Sequence, residues 1–136
     1  MLVPVVGVII HDSDRRVLLQ RRGDGGPWGL LGGAMDLDER PEETARREIR
    51  EEAGLELGVL KLVDVCAGPA FFHVYPNGDQ VAFVMIIYET DEVNGSPIPD
   101  GEESISLAFL ALDHLPGNLL PVARQVLERY QQRGQD

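Results

Sequence analysis

The chain has 136 residues, of which 43% are apolar and 26% charged, with a formal net charge of −11. That length and balance suit one domain with its own core, and the acidity argues against a basic face for long nucleic acid. The single cysteine, Cys66, leaves no internal disulfide and no cysteine zinc cluster, and no apolar run reaches the roughly 20 residues that span a bilayer.

A reducing cytoplasm is the expected compartment, because the apolar start of the chain lacks the basic segment and small-residue cleavage site of a signal peptide. Val3–Ile10 and Val17–Leu19 are aliphatic runs separated by the polar turn His11-Asp12-Ser13-Asp14, so two strands paired as a hairpin are expected. His11 reads as a turn residue. Arg21 and Arg22 follow the second strand and precede Gly23-Asp24-Gly25-Gly26-Pro27, a flexible connection. Their guanidinium groups could grip substrate phosphate or pair with surface acids, and the residues alone leave both open. Trp28-Gly29-Leu30-Leu31-Gly32-Gly33 comes next, with Trp28 expected to pack rather than to stack on a base.

A helix is predicted over Pro41–Ala53: Pro41 suits the first position, Glu42 and Glu43 face the positive end of the dipole, and Gly54 follows the last turn. Ala45, Ile49 and Ala53 form its packing stripe, beside an arc of Glu48, Glu51 and Glu52. Glu42, Glu43 and Glu51 each have an arginine four residues away. Glu48 and Glu52 have only each other, Thr44 and Glu56 at that spacing, which costs a few tenths of a kcal/mol per like pair. A hard divalent cation from outside the helix would relieve the repulsion, and Mg²⁺ suits one or two carboxylates shared with waters and phosphates. Nine of the 23 acidic residues lie between Asp36 and Glu56, so a polyphosphate ligand would need bridging metal ions there.

The fixed positions Gly33, Glu39, Arg47, Glu48, Glu51, Glu52 and Gly54, with Ile49 and Leu55 at the apolar positions, match the full signature of the Nudix hydrolase family. Seven such identities at set spacing arise by chance on the order of 10⁻⁸ per start position. The run Trp28–Gly33 also resembles the approach to the motif in that family. Three positions depart from the usual pattern: Leu31, where proline is common, Asp38, where glycine is common, and Arg40, where serine or threonine caps the helix. The last costs around 1 kcal/mol of capping.

Further on, Leu57–Ala67 and Gln80–Thr90 read as strands, the second apolar enough to be buried on both faces, with Cys66 as buried filler in the first. Between them, Phe71, Phe72, His73 and Tyr75 could contact a base or pack as a hairpin end, and Tyr75 is kept as a substrate candidate. Asp91–Ser104 is a long acidic connection in which Glu102 and Glu103 could supply a further metal ligand or base. Ile105–Leu112 reads as a last strand, His114 as structural, and Pro121–Gln132 as a closing amphipathic helix.

Strands with one helix in the middle and one at the end suggest an α/β sandwich, and the resemblance implies the Nudix fold, an α/β/α sandwich around a mixed sheet, as a single domain over residues 1–136. It further implies hydrolysis of a nucleoside diphosphate linked to another group: ADP-ribose, a nucleotide sugar or a nucleoside triphosphate. Glu48, Glu51, Glu52 and the Gly33 carbonyl would hold Mg²⁺ or Mn²⁺, and Glu51, Glu52 or Glu103 would take the proton from water. Glu39 and Arg47 would brace the loop against the helix, with Gly54 ending it. The partners expected are a small nucleotide and a second copy of the chain, with no membrane and no long nucleic acid. A nucleotide-binding or sensor domain without catalysis is the alternative.

Overall fold

The computed structural model describes residues 1–23, 25–102 and 106–134. Its first strand, β1 (Leu2–Ile10), is buried from Val6 to Ile10, which requires neighbours on both edges and cover on both faces. β4 (Leu31–Ala34) pairs with it antiparallel on one edge, and β8 (Gln80–Thr90) runs parallel to it on the other. β6 (Lys61–Cys66) and β7 (Phe72–Val74) each pair antiparallel with β8, completing a five-stranded mixed sheet.

A second sheet has β2 (Arg16–Arg21) between β10 (Ser106–Ala111) and β3 (Trp28–Gly29), all antiparallel. The expected β1–β2 hairpin is therefore corrected. His11 bridges Val17 and the Asp12 N–H donates to the Arg16 carbonyl at 3.0 Å, but beyond that turn the strands enter different sheets. Both edges of β1 are already occupied, so β2 has to find its partners elsewhere.

The mid-chain strand is shorter than its apolar run. Glu56–Leu57 peels off as β5 and pairs with Val93–Asn94, β9, while β6 begins at Lys61. The 13-residue helix α1 (Pro41–Ala53) has the predicted bounds. Arg40 supplies no capping side chain, and its own N–H donates to Glu43 Oε1 at 3.0 Å. Gly54, at φ 68°, ends the helix in the left-handed region that a Cβ disfavours. The last helix, α2, spans Pro121–Gly134.

Alternation along the strands divides the core. Val6, Val8, Ile10 and Leu18 face α1 through Ala45, Ile49 and Ala53, whereas Ile9, Val17, Leu19 and Ile87 face α2 through Ala123, Val126 and Leu127. The result is the expected α/β/α sandwich around a mixed sheet. Cys66 is buried in the second layer, as expected, and burial pushes its thiol up to about 11. No helix among the described residues is long and apolar enough to cross a membrane.

Candidate active site

Docking α1 on β4 and β1 brings Glu48 and Glu52, one helical turn apart, against the Gly32-Gly33 backbone. Glu52 is only 1% exposed. The Gly32 N–H donates to its Oε1 at 2.8 Å, Gln20 Nε2 donates to its Oε2 at 3.1 Å, and Arg22 Nη2 stands 4.0 Å away. Burial outweighs these donors and, with the neighbouring Glu48 charge, pushes the Glu52 carboxyl up to about 7. Glu48 lies over Gly33: a Cβ at that glycine would stand 2.5 Å from the Glu48 carboxyl carbon, so only glycine leaves room for the carboxylate there.

Gln20 escaped the reading of the sequence. Its Nε2 also donates to the Leu30 carbonyl at 3.0 Å, which fixes the amide's orientation, and its Oε1 is buried without a hydrogen-bond partner. The signal available was an amide within Val17-Leu18-Leu19-Gln20, where β2 is otherwise apolar and buried.

Arg47 organises the loop before α1. Its Nε donates to Glu39 Oε2 at 2.6 Å and its Nη2 to Glu39 Oε1 at 2.9 Å, a two-pronged pair. The same guanidinium reaches Glu48 at 3.0 Å, Glu51 at 3.3 Å, the Ala34 carbonyl at 3.3 Å and Asp36 at 3.6 Å. Arg47, together with the Asp36 N–H and the Thr44 hydroxyl, holds the Glu39 carboxyl down at about 2. Glu51, 58% exposed, sits at the solvent side of this network.

The remaining candidates are dispersed. Arg22 stands beside Glu52, whereas Arg21 lies over the Trp28 ring, 5.5 Å from its centroid, with a buried Nε that has no hydrogen-bond partner. Tyr75 is 43% exposed in the turn between β7 and β8, edge to face with His73. The Glu102 N–H caps Asp100 Oδ1 at 2.9 Å, and Glu103 lies outside the described residues.

A cavity of about 320 Å³ opens beside the carboxylates. Val5, Leu30, Phe83, Met85 and Leu120 make it largely apolar, Gln20 and Arg22 are its polar side chains, and Gly32 and Gly33 form part of its wall. Such a cleft suits the flat body of a small ligand whose charged part lies toward Arg22 and Glu52.

No three acidic, imidazole or thiol side chains converge as a closed metal cage among the described residues. Two carboxylates one turn apart, one of them buried with its arginine partner 4.0 Å away, nevertheless fit a hard divalent cation. Mg²⁺ prefers such open sites, completed by water and phosphate oxygens.

A family model described as the NUDIX domain matches residues 1–130. The chain is 29% identical to a Bacillus subtilis (strain 168) protein provisionally named an 8-oxo-dGTP diphosphatase, over 95% of this chain and 80% of that one. It is 32% identical to the ADP-ribose pyrophosphatase of Methanocaldococcus jannaschii, over 84% of this chain and 64% of that one. The crystal structure of a MutT NUDIX hydrolase from Burkholderia pseudomallei superimposes with a TM-score of 0.79 at 31% identity, covering 94% of this chain and 97% of that one. Over several other curated relatives the matched segment spans less than half of their length.

Proposed function

The chain belongs to the Nudix hydrolase family, and on that premise we propose that it is a metal-dependent enzyme cleaving the pyrophosphate bond of a nucleoside diphosphate joined to another group. ADP-ribose, a nucleotide sugar or a nucleoside triphosphate is the substrate class. The observation that carries the reading is the pair Glu48 and Glu52, set on the Gly32-Gly33 backbone beside an apolar cavity.

Glu48 and Glu52, with Glu51 nearby and the Gly33 carbonyl, are the groups that would hold Mg²⁺ or Mn²⁺. When bound, the cation neutralises the diphosphate and makes attacking water more acidic. The protein's own part is positioning. The Gly32 N–H and Gln20 Nε2 fix both oxygens of Glu52, and the Arg47 fork fixes Glu48 relative to the loop. Arg22, 4.0 Å from Glu52, would pair with substrate phosphate, and the apolar cavity would take the nucleoside. Gln20 Nε2 is committed to Leu30 and Glu52, which leaves its unpartnered Oε1, in the wall of that cavity, as an acceptor for the edge of a bound base. Glu51, Glu52 and Glu103 remain the candidates for the group that accepts the water proton. Arg21 and Tyr75 are the outer substrate contacts.

The test is product release from ADP-ribose, nucleotide sugars, dinucleoside polyphosphates and nucleoside triphosphates, each with Mg²⁺, with Mn²⁺ and with chelator. Cleavage of one class that chelator abolishes, and that Glu52→Gln lowers by about two or more orders of magnitude, is the expected result. Wild-type turnover in Glu52→Gln would remove Glu52 from the mechanism. Ligand-induced stabilisation with no cleavage of any compound would make the chain a binding domain.

A further inference from the structure

A second cavity, of about 660 Å³, shares no lining residue with the first. It lies where the end of β1, the start of β6 and the last turn of α2 meet. His11, Arg15, Lys61, Glu89, Tyr130 and Arg133 supply its polar wall. In a chain of net charge −11 with 12 lysines and arginines, three of those cations and a histidine face one pocket.

The acids around it are already engaged. Glu89 accepts the Tyr130 hydroxyl at 2.5 Å, while Lys61 Nζ and His11 Nε2 stand looser at 3.7 and 3.8 Å. Asp64 is shared between Arg129 at 2.8 Å and Arg133 at 3.0 Å, one carboxylate against two guanidiniums. Asp12 and Asp14, in the adjoining turn, are held by Arg16 at 2.8 and 3.6 Å. Arg133 is also anchored through the Val63 carbonyl, so its charge is fixed in place.

Arg15 stands apart. At φ 59° it is the one non-glycine residue with positive φ among the described residues. Its side chain has no hydrogen bond or ion pair there, and its influence reaches the Tyr130 hydroxyl across the pocket. Arg15 is exposed to solvent at the rim of this concave site, so its guanidinium can turn onto an anion that enters without breaking an existing pair. Val17, Leu62 and Leu112 make the rest of the wall apolar, which suits an organic body attached to the anion.

We propose that this cavity is a second binding site, for a phosphate-bearing molecule of nucleoside monophosphate size, with the phosphate between Arg15, Lys61 and Arg133 and the organic part against the apolar wall. Lys61, 76% exposed and 3.7 Å from the largely buried Glu89, is loosely held and can turn to a doubly charged phosphate, while Glu89 keeps the Tyr130 hydroxyl as its donor. The proposal does not depend on the hydrolytic reading of the first site.

The test is calorimetry and thermal shift with 5′-AMP and with inorganic phosphate, in chelator so that neither is drawn to a metal. AMP is expected to bind saturably, more tightly than phosphate. The double variant Arg15→Gly, Lys61→Gln is expected to weaken it by about tenfold or more. The fold survives both changes, because glycine accepts the positive φ at position 15 and Lys61 is 76% exposed. Arg22→Ala, which alters only the first cavity, is expected to leave AMP binding intact. Absence of AMP binding to the wild-type chain overturns the proposal. So does binding that Arg22→Ala abolishes and the double variant retains.

Discussion

Replacing Glu52 by glutamine should stabilise the protein while removing its activity. The carboxyl is 1% exposed and is pushed from an ordinary 4.5 to about 7, chiefly by loss of solvent. A carboxylate whose folded pKa is raised carries no penalty while protonated in both states. The penalty grows as pH rises from the unfolded value to the folded one, and is complete above both. At about 1.4 kcal/mol per pKa unit, the ionised side chain costs the fold about 3 kcal/mol near pH 8. Glutamine keeps the shape and carries no charge. Its amide can accept from the Gly32 N–H but faces Gln20 Nε2 with another donor, which returns about 1 kcal/mol of the gain. The net, about 2 kcal/mol, corresponds to a rise in Tm of roughly 6–10 °C for a chain of this size. The assay is thermal melting of both proteins in chelator near pH 8 and again near pH 4.5, where wild-type Glu52 is protonated in the fold and the glutamine variant should lose its advantage or melt slightly below wild type. A variant that melts below wild type near pH 8, or a difference that ignores pH, would refute the assignment of Glu52 as a carboxylate whose charge is penalised by burial.

Gly33→Ala puts a methyl group 2.5 Å from the Glu48 carboxyl carbon. Glu48 must swing away, so turnover should fall about 100-fold with little change in Tm, and an alanine variant with wild-type kcat would mean that Glu48 acts from another position. Asp64→Asn removes the carboxylate that two arginines of α2 hold down at about 2. Because that pKa is depressed from 3.8, the contribution is present above the unfolded value and lost as pH falls toward about 2. The variant should therefore be less stable than wild type by about 2 kcal/mol at neutral pH, and the two denaturation midpoints should converge below about pH 2.

The site was legible where it depends on one helix. Period and end signals fixed α1 to the residue, and the lack of an arginine four residues from Glu48 or Glu52 pointed to a cation from outside the helix. Arg22 stands 4.0 Å from Glu52, whereas Glu48 pairs with Arg47, its neighbour on the helix. What the helix docks against was not legible. That Glu52 would be buried, and that Gln20 would grip it, depends on β2 crossing 32 residues away in sequence, and a single amide in an apolar strand carries no spacing rule. The hairpin expectation failed for a related reason. A short turn predicts adjacency at the turn, whereas the partners of a fully buried strand are chosen by whichever other segments can satisfy both of its edges. Short β5 and β9 fell below any sequence pattern, since two residues have no periodicity. Arg21 ends β2 over the Trp28 ring, whereas Arg22, one residue past the strand, stands beside Glu52.

The parallel ladder of β1 with β8 joins Leu2 to Ala82 and Ile10 to Thr90. It carries the order of assembly as well as the architecture. During synthesis the whole of α1 and both glycines beneath it emerge long before β8 exists, so the helix has no complete floor to dock on until more than half of the chain has been made. Closing that distance is the slow, entropically costly event expected of long-range parallel pairing, and it places refolding toward the millisecond-to-second range rather than that of helical bundles. The pace at which the protein matures is therefore expected to depend on Val6–Ile10 and Ile86–Thr90, a stretch separate from the carboxylates of α1. Substitutions at those carboxylates can change the chemistry while leaving the time to reach the folded state nearly untouched.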